Sequence, residues 1–247
     1  MQAHDLWIIL GITAVALLYS SVGHGGASGY LAVLAFAGLN KDALSSSGLV
    51  LNLFVASLAL VSFSTARYMR WSLAALFLAG SLPFAFLGGG LKVSETVYYS
   101  LLGIALIAAG LRMLISLRSS DEQTAEPPKA IALLTGALIG LLSGVVGVGG
   151  GIFLSPVAIL LRWTTAKEAS AIAALFIVGN SLAGLAGRVS AHTLNVPPIV
   201  WMVLPGALAG GLLGSYVGAR KLDNTRLKQV LGLVLLVAAA RLVVAPG

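Results

Sequence analysis

The sequence contains no cysteine, which excludes disulfide bridges, thiolate metal sites and thiol chemistry. Charged side chains are also scarce: Asp, Glu, Lys and Arg make up 9% of the 247 residues, whereas soluble domains usually carry about 25%. Hydrophobic residues make up 58% of the chain, and the mean hydropathy is +1.00. These values predict an integral membrane protein rather than a soluble globule. The net charge of +7 is typical of basic cytoplasmic loops, so it does not require a nucleic-acid partner.

Long polar stretches are rare, and the longest separates two groups of five apolar segments. A crossing helix needs about 20 apolar residues. The polar stretch runs from Arg118 to Lys129. The predicted segments are Leu6–Val22, Ser28–Leu39, Ala43–Ala66, Trp71–Gly90 and Val97–Leu117, then Ala130–Val146, Ile152–Leu161, Glu168–Gly187, Pro197–Ala219 and Leu227–Val244.

The two groups of segments repeat each other. Gly23, Gly25 and Gly26 stand 124 residues before Gly147, Gly149 and Gly150. "NKDA" before the third segment matches "AKEA" before the eighth, and "GLRML" matches "AARLV". We therefore predict an internal duplication with an N-terminal repeat (1–117), a cytoplasmic linker (118–129) and a C-terminal repeat (130–247).

The distribution of basic residues favours repeats of opposite orientation. The second segment of each repeat is short, so each repeat crosses either four or five times. Five crossings in each repeat place eleven Lys and Arg residues on one face of the membrane and four on the other. Four crossings in each repeat leave no such bias. Cytoplasmic loops are enriched in basic residues. The charge pattern thus favours two inverted-topology repeats of about five helical segments each, with the linker in the cytoplasm and both termini outside.

The glycine-rich stretches "SSVGHGGASGYL" and "GVVGVGGGIFLSP" lie within apolar sequence. Neither has the G-K-[ST] of a Walker loop or the preceding strand of a Rossmann loop. Close helix packing is an alternative explanation. However, consecutive glycines break a helix, and broken helices at matching positions of two repeats indicate a transporter binding site. We predict Gly-broken short helices that begin near Ser28 and Ile152.

The sign of the substrate's charge is predicted from the amino ends of these short helices. The first N–H groups of a helix are unpaired and carry partial positive charge, which attracts anions. The eight carboxylates fall at segment ends or in loops, so none is placed to hold a cation within the membrane. An anionic substrate is therefore favoured.

Rows of glycines at Gly206–Gly218 and Gly136–Gly144, spaced by four residues, are interpreted as helix-packing grooves.

The paired motifs "GHGGASGY" and "GVGGGIFLSP", followed by "KDA" or "KEA" at the next helix, resemble the sulfite exporter TauE/SafE family, also called the toluenesulfonate uptake permease family. The resemblance spans essentially the whole chain. His24, Ala27 and Ser28 depart from the usual pattern. The resemblance implies a secondary transporter of small sulfur-containing or organic anions such as sulfite, sulfoacetate or related sulfonates.

Several side chains accompany the glycine loops as candidate substrate ligands. His24 could donate to an anion or take up a coupling proton, or it could simply bond a nearby carbonyl. Asn52 and Asn180 could face the substrate or join helices. The full set of predicted substrate-binding residues is Gly23, His24, Gly25, Gly26, Ser28, Asn52, Gly147, Gly149, Gly150, Gly151, Ser155 and Asn180.

Other polar and aromatic residues near segment ends are interpreted as lipid contacts. We expect Arg188, Arg112 and Arg241 to extend toward the headgroups. The four tryptophans, Trp7, Trp71, Trp163 and Trp201, are expected to serve as interface anchors.

Together these observations predict a multi-pass secondary transporter of the cytoplasmic membrane that works by alternating access. No metal and no cofactor is expected, and the partners are a small anion and the lipid bilayer. Proton coupling through His24 is a hypothesis, and a homodimer is left open. A passive anion channel remains the alternative. An enzyme is not expected, because the serines of "SSSG" at 45–48 have no evident base.

Overall fold

A computed structural model describes residues 3–114, 124–220 and residue 236. This part of the chain is all-helical, and the sequence prediction of helical class is confirmed. Five of its helices, α3, α4, α6, α8 and α9, are long and apolar enough to cross a membrane. The predicted tenth segment, Leu227–Val244, lies outside the described residues apart from residue 236. The helices are α1 (Ala3–Ser20), α2 (Ala27–Phe36), α3 (Lys41–Thr65), α4 (Trp71–Gly90), α5 (Glu95–Leu114), α6 (Lys129–Val146), α7 (Gly151–Leu160), α8 (Ala166–Ser190) and α9 (Pro198–Arg220).

Helix lengths correspond between the two halves. The first helix of each half has 18 residues, the second 10 and the third 25. The short second helices, α2 and α7, match the short segments predicted from the sequence. The predicted bounds of α4 agree with the structure, and the other bounds differ by at most three residues at either end. This correspondence is what a duplicated chain requires.

Local capping explains where the long central helices begin. The side chain of Asn40 accepts the N–H of Ala43 at 3.0 Å at the start of α3. Thr165 followed by Glu168 has the sequence spacing of a capping box. At the start of α8 the two residues form one, in which the Glu168 carboxylate accepts the Thr165 N–H at 2.9 Å. Such caps satisfy N–H groups that have no partner within the helix. The cap at Asn40 was not predicted.

Two glycine-lined grooves bring helices from different halves into backbone contact. Gly136, Gly140 and Gly144 of α6 lie against the backbone of α4, and Gly206 to Gly218 of α9 lie against α1. A Cβ at Gly214 would overlap the carbonyl oxygen of Leu17. Small residues permit this close approach, in which dispersion contacts hold membrane helices together. The prediction that both glycine rows form packing grooves is confirmed.

The two central helices, α3 and α8, run antiparallel. Leu49 near the start of α3 packs against Gly184 near the end of α8. At the opposite ends, Ala59 and Phe63 cluster with Ala171 and Ala174. Because α3 and α8 occupy equivalent places in the two halves, this is the relation that inverted repeats require. The inversion of the repeats as complete units stays a prediction.

Two expectations about the membrane surface are wrong. Arg188 is only 4% exposed, and it donates from Nη2 to the carbonyls of Gly144 at 3.2 Å and Val145 at 3.0 Å. It is drawn inward because the carboxyl end of α6 lies beside it and offers unpaired carbonyls. Trp163 is 6% exposed and packs against Phe77. The side chains of Arg112 and Arg241 lie outside the described residues.

We expect Gly214→Ala to lower the free energy of unfolding by about 1–3 kcal/mol, because the added methyl overpacks the contact between α1 and α9. The measurement is thermal unfolding in detergent. Gly11→Ala is the matched control, since its Cβ would meet Val33 at 3.5 Å, an ordinary contact. Equal midpoints for the two variants would contradict the assignment of Gly214 to a tight groove.

Candidate functional site

The predicted helix interruptions are present, as two short loops that precede α2 and α7. Five glycines in these loops have positive φ: Gly23 at 75°, Gly26 at 103°, Gly147 at 85°, Gly149 at 77° and Gly150 at 81°. Side-chain-bearing residues rarely adopt this region, and glycine does so without steric cost. The glycines are therefore needed to turn the chain between the helices.

Each loop packs against the central helix of the opposite half. A Cβ at Gly23 would overlap the backbone of Ser170 in α8, and one at Gly147 would overlap the backbone of Ser45 in α3. Gly23 and Gly147 are both buried. Irregular backbone at membrane depth is tolerated only where protein or a cavity covers it. Each half thus covers the helix break of the other.

Asn52, at the middle of α3, joins the two loops. Its Oδ1 accepts the N–H of Ala27 at 3.1 Å, and its Nδ2 donates to the carbonyl of Val148 at 3.0 Å. The side chain is fully buried. Of the two roles considered for Asn52, the structure shows the one that joins segments, because both ends of its amide are bonded within the protein.

His24 links the first loop to the first turns of α7. Its Nδ1 lies 2.8 Å from the carbonyl oxygen of Val22, and its Nε2 lies 3.1 Å from that of Gly151 and 3.2 Å from Oγ of Ser155. A neutral imidazole has one N–H and can donate to only one of these carbonyls. An imidazolium ring can donate to both. The geometry therefore accommodates a protonated ring.

The first loop is extensively bonded to its own half. Ser28 donates to the hydroxyl of Tyr19 at 2.9 Å, and the Tyr30 hydroxyl donates to the Gly25 carbonyl at 2.5 Å. The N–H of Ala27, the first residue of α2, is taken by Asn52. Of the N–H groups at this amino end, that of Ala27 is bonded in this way, and those of Ser28 and Gly29 donate to no acceptor within the described ranges.

The second loop also leaves donors unused, and a buried side-chain donor accompanies them. Gly150, the N-cap of α7, makes no side-chain cap, and the N–H groups of Gly149 and Gly150 donate to no acceptor within the described ranges. Asn180 borders Gly150 and is fully buried. Its Oδ1 accepts the Ser81 hydroxyl at 2.8 Å, whereas its Nδ2 has no partner in the described part of the chain.

The surroundings of these donors are apolar. Ile139 and Phe176 border Gly150, and Ile177 borders Gly149 and Gly151. In the described ranges, Asp42, Glu95 and Glu168 lie in the first turns of their helices rather than at this depth. Buried donors in a weakly polar environment interact strongly with negative charge. The arrangement is suited to an anion and unsuited to a cation.

Three contributors to this region were missed from the sequence. Ser81 bonds Asn180, and Arg188 and Tyr98 bond the last carbonyls of α6, with the Tyr98 hydroxyl 3.3 Å from the carbonyl of Val146. Ser81 and Asn180 are 99 residues apart in the chain. No spacing rule connects residues at such separations, so the sequence carries no signal for these contacts.

Comparison with known proteins gives a match over nearly the whole chain. The family described as sulfite exporter TauE/SafE matches residues 8–242. The chain is similar to the probable membrane transporter protein y4hK of Sinorhizobium fredii, with 33% identity over 98% of this chain and 99% of that protein. It is also similar to the probable membrane transporter protein YunE of Bacillus subtilis, with 23% identity over 76% of this chain and 74% of that protein. No solved structure matches.

We expect Asn52→Leu to lower the free energy of unfolding by about 2–4 kcal/mol, because it leaves the Ala27 N–H and the Val148 carbonyl buried without a partner. Thermal unfolding in detergent measures the change. Ser57→Ala is the control, since the hydrogen bond that the Ser57 hydroxyl makes among the described residues goes to the carbonyl of Leu53 in its own helix. If both variants unfold at the wild-type temperature, Asn52 does not join the loops.

Proposed function

Because the chain belongs to the TauE/SafE sulfite exporter family and is a multi-pass membrane transporter, we propose that it carries small sulfur-containing or organic anions across the cytoplasmic membrane. The observation that carries the proposal is the set of unused donors at the second glycine loop. The N–H groups of Gly149 and Gly150 have no described acceptor, and the unused Nδ2 of Asn180 lies against Gly150 beside the amino end of α7. A helix amino end adds partial positive charge there.

The donor set supports an oxyanion rather than a halide. Sulfite and sulfonates present several acceptor oxygens on one small group, and backbone N–H groups bind such oxygens closely where glycine removes the Cβ. Ser155 adds a hydroxyl one turn into α7, within reach of His24. The family description names sulfite, and sulfite, sulfoacetate and related sulfonates form the proposed substrate class.

The proposed mechanism is alternating access by two inverted halves. A cavity of about 280 Å³ includes Ser45 and Val145 in its wall, and the backbone of Ser45 contacts Gly147 of the second loop. On the opposite side, Gly23 packs directly against Ser170. This asymmetry supports a state with access from one face. Movement of one half against the other about α3 and α8 would exchange the open and closed sides.

His24 is the proposed site of proton coupling. Protonation gives the ring a second N–H, so that it can donate to the carbonyls of both Val22 and Gly151. These carbonyls belong to different halves of the chain. A protonated His24 would therefore strengthen the link between the halves, and it would add positive charge near the proposed anion site.

Anion transport is tested with Asn180→Asp in proteoliposomes. The substitution retains an oxygen for Ser81 but replaces the unused donor by a negative charge, and we expect uptake of labelled sulfite or sulfoacetate to fall at least tenfold by repulsion. Ser57→Ala is the control. Trans-stimulation by unlabelled substrate would identify a transporter, and its absence a passive channel. Unchanged uptake in Asn180→Asp, or transport of cations alone, contradicts the proposed site.

Proton coupling is tested with His24→Gln. Wild-type uptake should increase when the substrate side is made acidic, because protonation of His24 accompanies anion binding. The glutamine variant retains a donor and an acceptor but does not titrate in this range. We expect its uptake to lose the acid stimulation, as measured across pH 5–8. Full retention of the wild-type pH profile would remove His24 as the coupling group.

A further inference from the structure

A second group of cationic side chains surrounds the cavity of about 280 Å³, away from the unused donors of the glycine loop. The cavity lies where the start of α3, the end of α4, the start of α5 and the ends of α6 and α8 meet. It has room for a small oxyanion with several waters, since liquid water occupies about 30 Å³ per molecule. Its polar wall residues include Lys41, Asp42, Lys92, Tyr98, Arg188 and Thr193.

Arg188 is the buried charge of this cavity. Its Nη2 donates to the carbonyls of Gly144 and Val145, but its Nε–H has no hydrogen-bond partner in the described part of the chain. Ion pairs in the described ranges join Arg70 to Glu126 and to Glu168, and none involves Arg188. A guanidinium that is 96% buried and has no described carboxylate within ion-pair distance carries a large desolvation cost. The Asp42 carboxylate of the same wall offsets part of this cost, and a bound anion would offset more.

The remaining charges of the wall add to the positive potential. Lys41 donates to the carbonyl of Val93 at 2.8 Å, and Lys92 is exposed at the rim. Asp42 contributes the one negative charge in the wall formed by described residues, which leaves two positive charges in excess. The Thr193 hydroxyl is buried and has no partner among those residues. Two unused donors thus accompany an excess of positive charge.

We propose that this cavity is a second anion-binding site, which holds a small oxyanion of the sulfite, sulfate or sulfonate class against Arg188. The Arg188 Nε–H and the Thr193 hydroxyl donate to the anion, and Lys92 and Lys41 add electrostatic attraction. Planar guanidinium groups suit oxyanions because they present donors in a fixed fork. In transport the site serves as the access site that precedes the glycine loop, and this role rests on the proposed function.

The position of Arg188 connects the second site to the first. Its guanidinium bonds the carbonyls of Gly144 and Val145, three and two residues before Gly147, the C-cap of α6. The Tyr98 hydroxyl bonds the next carbonyl, that of Val146. An anion at Arg188 therefore lies beside the support of the second glycine loop.

Binding is measured by isothermal titration of the full-length protein in detergent with sodium sulfite and sodium sulfate. Lys92→Gln and Thr193→Val are the principal variants, and we expect each to weaken anion binding several-fold. Arg188→Lys retains the charge but loses the fork, and we expect at least a tenfold loss. Lys129→Gln removes the same charge from an exposed position outside the cavity wall. The affinity of this variant for sulfite and sulfate should therefore equal that of the wild type.

The outcomes separate this proposal from the proposed function. If Lys92→Gln and Thr193→Val bind anions as the wild type does, or if Lys129→Gln weakens binding equally, the second site is wrong even when transport is observed. If these variants weaken binding while Asn180→Asp retains it, the second site stands whether or not the protein transports the anion. If Arg188→Lys does not fold, Lys92→Gln and Thr193→Val still test whether the cavity binds an anion.

Discussion

Peptide groups that leave a helix inside the hydrocarbon layer must find partners in protein, water or ligand, since the lipid offers none. The chain meets this constraint at both helix breaks because each half covers the break of the other half. Gly23 lies against Ser170, Gly147 lies against Ser45, and Asn52 bonds both loops. Because α3 and α8 pack antiparallel, the loop of each half meets the central helix of the other half. Both helix breaks are therefore covered in the same way.

The two loops have nearly the same glycines but different bonding. The first is braced by Tyr19, Tyr30 and Asn52, and it contributes His24 to the other half. The second has Val148 at the position equivalent to His24, and it retains unused N–H groups. Within the described residues, the two loops thus differ in their side-chain contacts, and the second is the one that borders the unused Nδ2 of Asn180. The proposed anion site depends on this difference.

The fold was largely predictable because its determinants are local. The helices and both breaks were predicted from features that lie within one segment. These features are the length of the apolar stretch, the consecutive glycines and the capping box at Thr165. The partners of each segment were not predictable. Arg188 stands near a helix end, as a lipid-facing arginine would, and only the nearby end of α6 explains its burial. Similarly, the hydrogen bonds of Asn180 and Asn52 depend on residues roughly 100 positions away.

The reciprocal covering of the loops also has a consequence for biosynthesis. The N-terminal half enters the bilayer first, at a time when Val148, Gly151 and the glycine face of α6 have not yet been made. Asn52 and His24 then lack their later partners, and α4 has no backbone to pack against. The contacts that join the halves can therefore form only after the second half has been made.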